Sequence, residues 1–142
     1  MMKPGGLGYA VVSLWVAILG AQASPAKSVW DGVYTKEQGR RGELASGGSC
    51  DSCHGEKLVG SDLGPPLRGD DFLATWKGRN TAELFERIRS TMPTDSPGSL
   101  SGQRYLDIVA YILSANGFPA GESELPPDPA VLRSIVITGQ KP

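Results

Sequence analysis

The sequence has little of what most polar active sites are made from. Its 142 residues contain one histidine, His54, and two cysteines, Cys50 and Cys53. A structural zinc site needs four ligands, usually in two separated pairs; here three candidates crowd into five residues and no second cluster follows. A disulfide between Cys50 and Cys53 is geometrically awkward and leaves His54 unexplained. Charge of one sign is missing as well, with 14 basic residues against 15 acidic ones. Such a chain lacks the basic footprint of a nucleic-acid binder, so none is expected as a partner. No segment alternates with period two in the way a half-buried strand requires. Glycine (19) and proline (11) are abundant instead, and a chain of this size and composition would struggle to build a large core from its own side chains.

Long apolar runs are confined to the N-terminus. Lys3, the apolar stretch Tyr9 to Leu19 and the small residues Ala21-Gln22-Ala23 together describe a secretory signal peptide. The expectation is cleavage near Ala23, a mature chain from Ser24 and a periplasmic location. Leu7 to Ala23 is shorter than the ~20 apolar residues of a membrane span. The organisation read from the sequence is 1–23 signal peptide, 24–120 one domain and 121–142 a C-terminal extension.

The rare residues are gathered at one place, Cys50-Asp51-Ser52-Cys53-His54. C-x-x-C-H is the attachment signature of a covalently bound c-type haem. Residues three and four apart share a helical face, so two thiols and an imidazole can converge on one flat group. The thiols would form thioethers with the haem vinyl groups, and His54 would be the axial base that haem iron requires. A thioredoxin-like dithiol would need an adjoining βαβ pattern, whereas the flanks are helical and glycine-rich. The expected cofactor is therefore one haem c with its iron.

Methionine narrows the sixth iron ligand. It occurs at Met1, Met2 and Met92, and the first two leave with the signal peptide. With His54 committed, Met92 in Thr91-Met92-Pro93 is the expected ligand; the following proline turns the chain out of helix. A thioether raises the haem potential relative to two nitrogen ligands. The other reading of Met92 is a core-filling side chain, which would leave iron open to peroxide or a gas.

Three helices are expected. Thr35-Lys36-Glu37-Gln38 matches a capping box and opens a helix running toward Ser46, with Gly47-Gly48 as its break. Asn80-Thr81-Ala82-Glu83 opens a second, burying Leu84, Phe85 and Ile88 before Pro93. The third starts at Ser99 or Ser101, carries Leu106, Val109, Ala110 and Leu113 as an apolar stripe, and closes at Asn116-Gly117. Gly55 to Gly78 reads as loop. The fold class is all-α, short helices wrapped around one cofactor.

With these motifs assembled, the chain resembles a class I c-type cytochrome over about Val29 to Phe118. In that family a Gly-Pro segment after the haem motif offers a proline carbonyl to the proximal histidine. Gly64-Pro65-Pro66-Leu67 is similar to it, and the resemblance leaves either Pro65 or Pro66 in that role. Ser28 to Thr35, the Thr91-Met92-Pro93 loop and Ala110 to Pro119 further resemble small cytochromes and cytochrome domains associated with pyrroloquinoline quinone (PQQ) dependent alcohol dehydrogenases. The resemblance implies redox partners such as a PQQ-dependent dehydrogenase, a terminal oxidase or another cytochrome. Trp76 lies where the family often has a tryptophan near a haem propionate, and Arg79 could pair with the same carboxylate; core packing and a solvated charge are their other readings. Ala45-Ser46-Gly47-Gly48 stands where relatives carry a larger apolar or aromatic residue, which predicts looser contact between first and last helices.

Phe72, Phe85, Tyr105 and Tyr111 read as cofactor-packing or core aromatics, Arg87 and Arg89 as a solvated face, and Asp51 and Ser52 as solvent-facing filler. No acid-base constellation accompanies them, so no catalytic residue is assigned and no enzyme activity expected. Leu132, Ile135, Val136 and Ile137 are too apolar for a free tail; this segment is expected to fold back over the domain or dock on a partner. The function these expectations support is an exported single-haem electron carrier. The alternative is a haem enzyme or sensor in which Met92 leaves the iron.

Overall fold

Thr35 starts the first helix through its hydroxyl, which accepts the Gln38 amide at 3.1 Å and satisfies one of the donors a helix start leaves open. The computed structural model describes Met1, Met2 and residues 26–141; the rest of the expected signal segment and its cleavage site lie outside the described residues. Six helices follow in order among them: α1 (Lys36–Gly47), α2 (Asp51–His54), α3 (Gly69–Trp76), α4 (Thr81–Thr91), α5 (Gly102–Ala115) and α6 (Pro129–Ser134). None is long and apolar enough to cross a membrane. The all-α expectation holds, with one small exception. Strands β1 (Lys27–Ser28) and β2 (Ile135–Val136) pair in parallel, too short for any alternation to betray them.

Helix α5 is the axis of the fold. Ser101 caps it, and every residue from Tyr105 to Leu113 is buried, so the expected stripe is in fact an all-round buried segment. Helix α1 crosses it with Gln38, Gly39, Gly42 and Ser46 buried. The looser contact expected from Ala45 to Gly48 is not what forms. Closeness is set one and two turns earlier, because Gly39 and Gly42 present no side chain. A Cβ at Gly42 would overlap the Asp107 carbonyl and lie 2.8 Å from Tyr111 Cβ. Beside that crossing Arg41 donates twice to Asp107, at 3.1 and 3.0 Å, and reaches Glu124 at 2.9 Å. Those carboxylates push the guanidinium pKa up.

The capping box at Thr35 is only half made. Gln38 does not reach back; its amide is fully buried and pairs with the Leu125 backbone in both directions, at 3.2 and 2.8 Å. The tail is thereby tied to α1. Leu125, Leu132, Ile135 and Ile137 join the same core as Val29, Leu84 and Leu113, Thr81 donates to the Leu132 carbonyl at 2.8 Å, and the Trp30 indole donates to that of Thr138 at 3.2 Å. The fold-back of the tail is therefore made within this chain.

The segment expected as loop holds one regular helix, α3, with Phe72 and Trp76 buried one turn apart and stacked with ring centroids 6.4 Å apart. Eight residues are too few for periodicity to separate a helix from an apolar run. In α4, Leu84 is buried while Phe85 and Ile88 are only half-buried.

Gly42→Ala is expected to force α1 off α5. A loss of about 3 kcal/mol, at the upper end for core overpacking, is the predicted shift in urea unfolding of the haem-loaded protein. An unchanged midpoint would contradict the close crossing.

Candidate functional site

Helix α1 delivers the chain to the attachment turn. The Ser46 carbonyl accepts the Ser49 and Cys50 amides at 2.9 and 2.8 Å, and the Ser46 hydroxyl donates to Asp51 at 2.9 Å. Asp51 is therefore not filler: it anchors the first residue of α2 to the buried end of α1. Ser52 does face solvent. Cys50 precedes α2 directly, and the Cys53 and His54 amides both donate to its carbonyl, at 3.1 and 2.9 Å. One turn thus gathers both thiols and the imidazole. Burial pushes the Cys50 thiol pKa up, with the Ser46 hydroxyl opposing.

His54 is buried, and its Nδ1 lies 2.7 Å from the Pro65 carbonyl. A carbonyl can only accept, so Nδ1 carries the proton and Nε2 is left with its lone pair. Of the two prolines, Pro65 makes this contact. Such a partner fixes ring orientation and raises the basicity of the other nitrogen. The loop around it is stitched by Gly60 N–H to the His54 carbonyl at 2.6 Å and Leu67 N–H to the Leu58 carbonyl at 3.0 Å. Gly64 runs so close that a Cβ there would stand 2.9 Å from the Cys53 carbonyl oxygen and 3.2 Å from His54 Nδ1.

Cys50, Cys53, His54, Pro65, Trp76 and Met92 all line one cavity of about 1060 Å³. That is the upper end of the ~300–1,000 Å³ typical of ligand sites. Phe72, Leu84, Ile88, Ile108 and Ile112 supply apolar wall, and a hollow of this size between packed helices forfeits dispersion contacts unless a large apolar body fills it. The residues present fit a haem: two thiols for attachment, one imidazole with a free nitrogen, one thioether and an apolar wall. No group of three or more His, Cys, Asp or Glu able to hold a metal ion occurs among the described residues. A smaller cleft of about 310 Å³ between α1 and α5 contains none of this chemistry.

Arg79 is not in the cavity lining. Its guanidinium lies 4.9 Å from the centroid of the Trp76 ring, and its Nε donates to Glu83 at 2.8 Å. The arginine on the lining is Arg87, which is exposed, as the solvated-face reading expected, and also reaches the cavity. Two residues make contacts that the sequence reading did not foresee. Asn116, expected only to close α5, donates to the Leu67 and Ile112 carbonyls at 3.0 and 2.8 Å and accepts from Gly69 N–H at 2.9 Å, so the proline loop hangs from the end of α5. Tyr105 donates to the Met92 carbonyl at 2.9 Å. Nothing local in the sequence signals the Asn116 contacts to Leu67 and Gly69 or the Tyr105 contact to Met92, since these partners lie far along the chain or across a loop.

A family model described as cytochrome c oxidase, cbb3-type, subunit III, matches residues 37–112, more than half of the chain. The chain belongs to this family of c-type cytochromes. Its cofactor is covalently bound haem c with iron, and its fold is the all-α class I arrangement. Among solved structures, the cytochrome is similar to the sulfane dehydrogenase SoxCD from Paracoccus pantotrophus, at 25% identity and a TM-score of 0.50 over 72% of this chain and 60% of that one. It thus spans about 60% of the length of that relative. Comparison with curated proteins gives no match.

Gly64→Ala in the haem-loaded cytochrome is expected to press on the His54 imidazole and shift the reduction potential by tens of millivolts, since contacts on a side chain that would hold the iron tune potential. Gly47→Ala, whose Cβ would meet only Asp51 Oδ2 at 3.8 Å, should leave it unchanged. Equal potentials for the two variants in a redox titration would show that the Gly64 contact is immaterial.

Proposed function

We propose that this cytochrome is an exported, periplasmic single-haem electron carrier whose iron is held by His54 and Met92. The observation that carries the reading is the shared cavity: the only histidine of the chain, its Nδ1 bonded to Pro65, and the only methionine of residues 26–141 line the same hollow as the two attachment cysteines. Haem c supplies the one-electron couple. The chain supplies an oriented imidazole, a soft thioether that favours the ferrous state, and an apolar wall that excludes water and raises the potential.

With His54 and Met92 both holding the iron, no position would remain open to a substrate, which would favour electron exchange over chemistry on a bound molecule. Arg87, on the lining, stands ready as the cation for a propionate, a pairing suited to the guanidinium fork. Trp76 packs the same wall from α3. Electrons come from a dehydrogenase and pass to a terminal oxidase or another cytochrome. Supporting a dehydrogenase donor are the likeness to a protein named a sulfane dehydrogenase and the resemblance of the helix-end segments to cytochromes of PQQ-dependent alcohol dehydrogenases. The oxidase name of the matching family supports a place in a chain that ends at a terminal oxidase.

Ferrous and ferric spectra of the matured protein and of Met92→Ala test this. The expected wild type is low-spin with a weak far-red band from thioether-to-iron bonding, slow to bind carbon monoxide, and the variant loses the band and binds the gas readily. A high-spin wild type, or fast stoichiometric carbon monoxide binding by it, would instead mark a haem enzyme or sensor with an open iron.

A further inference from the structure

Between α4 and α5 the chain must leave a helix, present Met92 to the cavity and return within ten residues. Met92 is the residue that ends α4, its amide still donating to the Ile88 carbonyl at 2.9 Å. Beyond it, Thr94 to Ser99 are exposed, and inside the loop run two short turn contacts, Ser96 N–H to Pro93 O at 3.0 Å and Ser99 N–H to Ser96 O at 3.2 Å. A loop of this kind, solvated and free of apolar anchors at its tip, opens at low cost.

One buried side chain closes it. Tyr105, in the first turn of α5, is 1% exposed. Its hydroxyl donates to the Met92 carbonyl at 2.9 Å and accepts the Leu100 amide at 3.4 Å, the weaker of the two. A single oxygen therefore touches both ends of the loop. With the Met92 amide held by α4 and its carbonyl held by α5, the backbone that carries the thioether is fixed on both sides. Thioether bonds to iron are weak enough that such fixation decides occupancy: a ligand already held in place loses little freedom on binding.

We propose that Tyr105 is the positioning residue for Met92, and that its clasp on residues 92–100 keeps the sixth iron position closed to external ligands. The inference rests on the reading of Met92 as an axial ligand. It assigns the choice between electron carrier and ligand-binding haem protein to a phenol that is not on the cavity lining. Tyr105→Phe removes the oxygen alone and keeps the ring that packs in the core.

The test is a titration of the ferric, haem-loaded protein with imidazole, followed at the far-red band, for wild type, Tyr105→Phe and the control Tyr111→Phe. Losing one hydrogen bond, of about 1 kcal/mol, is expected to tighten imidazole binding by roughly fivefold in Tyr105→Phe and to weaken the far-red band before imidazole is added. Tyr111→Phe should match wild type, because Tyr111 lies on another face of α5 beside α1. A lowered thermal midpoint with imidazole affinity and band unchanged would reduce Tyr105 to a packing residue and overturn the proposal. A wild type that lacks a Met92-dependent band would overturn the ligation reading itself, and so the two failures are told apart.

Discussion

The crossing of α1 and α5 at Gly42 is the constraint from which the rest of the molecule follows. Backbone meets side-chain-free backbone there, against the Asp107 carbonyl, and Arg41 closes over the contact by bonding Asp107 and Glu124. The end of α1 is then placed by the rigidity of the helix rather than by the loop after it. Ser46, buried in that last turn, hands the chain to Cys50 and Asp51. The attachment turn is thus an extension of a helix crossing, and its thiols and imidazole inherit their position from a glycine two turns away.

Around the cavity the same device recurs: a loop that has no core of its own is hung from a hydrogen-bonding side chain at one end of a rigid helix. Asn116, just beyond α5, holds the proline segment that in turn carries the carbonyl facing His54. Tyr105, near its start, holds the segment that carries Met92. Both ends of α5 therefore govern one side each of the haem environment, while its middle, Tyr105 to Leu113, is buried all round. A site built this way keeps polar backbone on the surface, where water satisfies it, while His54 and Met92 are held at the cavity.

The tail and the N-terminal segment complete the wall behind α3 and α4. Parallel pairing of β1 with β2 and the Trp30 indole on the Thr138 carbonyl join residues more than a hundred positions apart, and the Trp30–Phe118 edge contact at 5.0 Å ties the same segment to the chain just beyond α5. Gln38 is the clearest case of a residue with two possible partners. In isolation it completes a capping box with Thr35; in the folded chain a buried backbone pair at Leu125 outbids that local bond, because an unsatisfied buried amide is costlier than an exposed one.

By itself the sequence determined the cofactor and the helices that start with strong caps. C-x-x-C-H needs no tertiary context, since one helical turn already brings its three groups together, and Thr35, Asn80 and Ser101 cap their helices by contacts three residues long. Only the tertiary structure decided which proline faces His54, that Arg87 and not Arg79 reaches the cavity lining, that α1 and α5 touch through glycines, and that Tyr105 holds Met92. The physical reason is range. Caps and periodicity are local energies written into a few adjacent residues, whereas these other contacts join groups brought together only by packing, and no local pattern encodes a partner that the chain must first fold to meet.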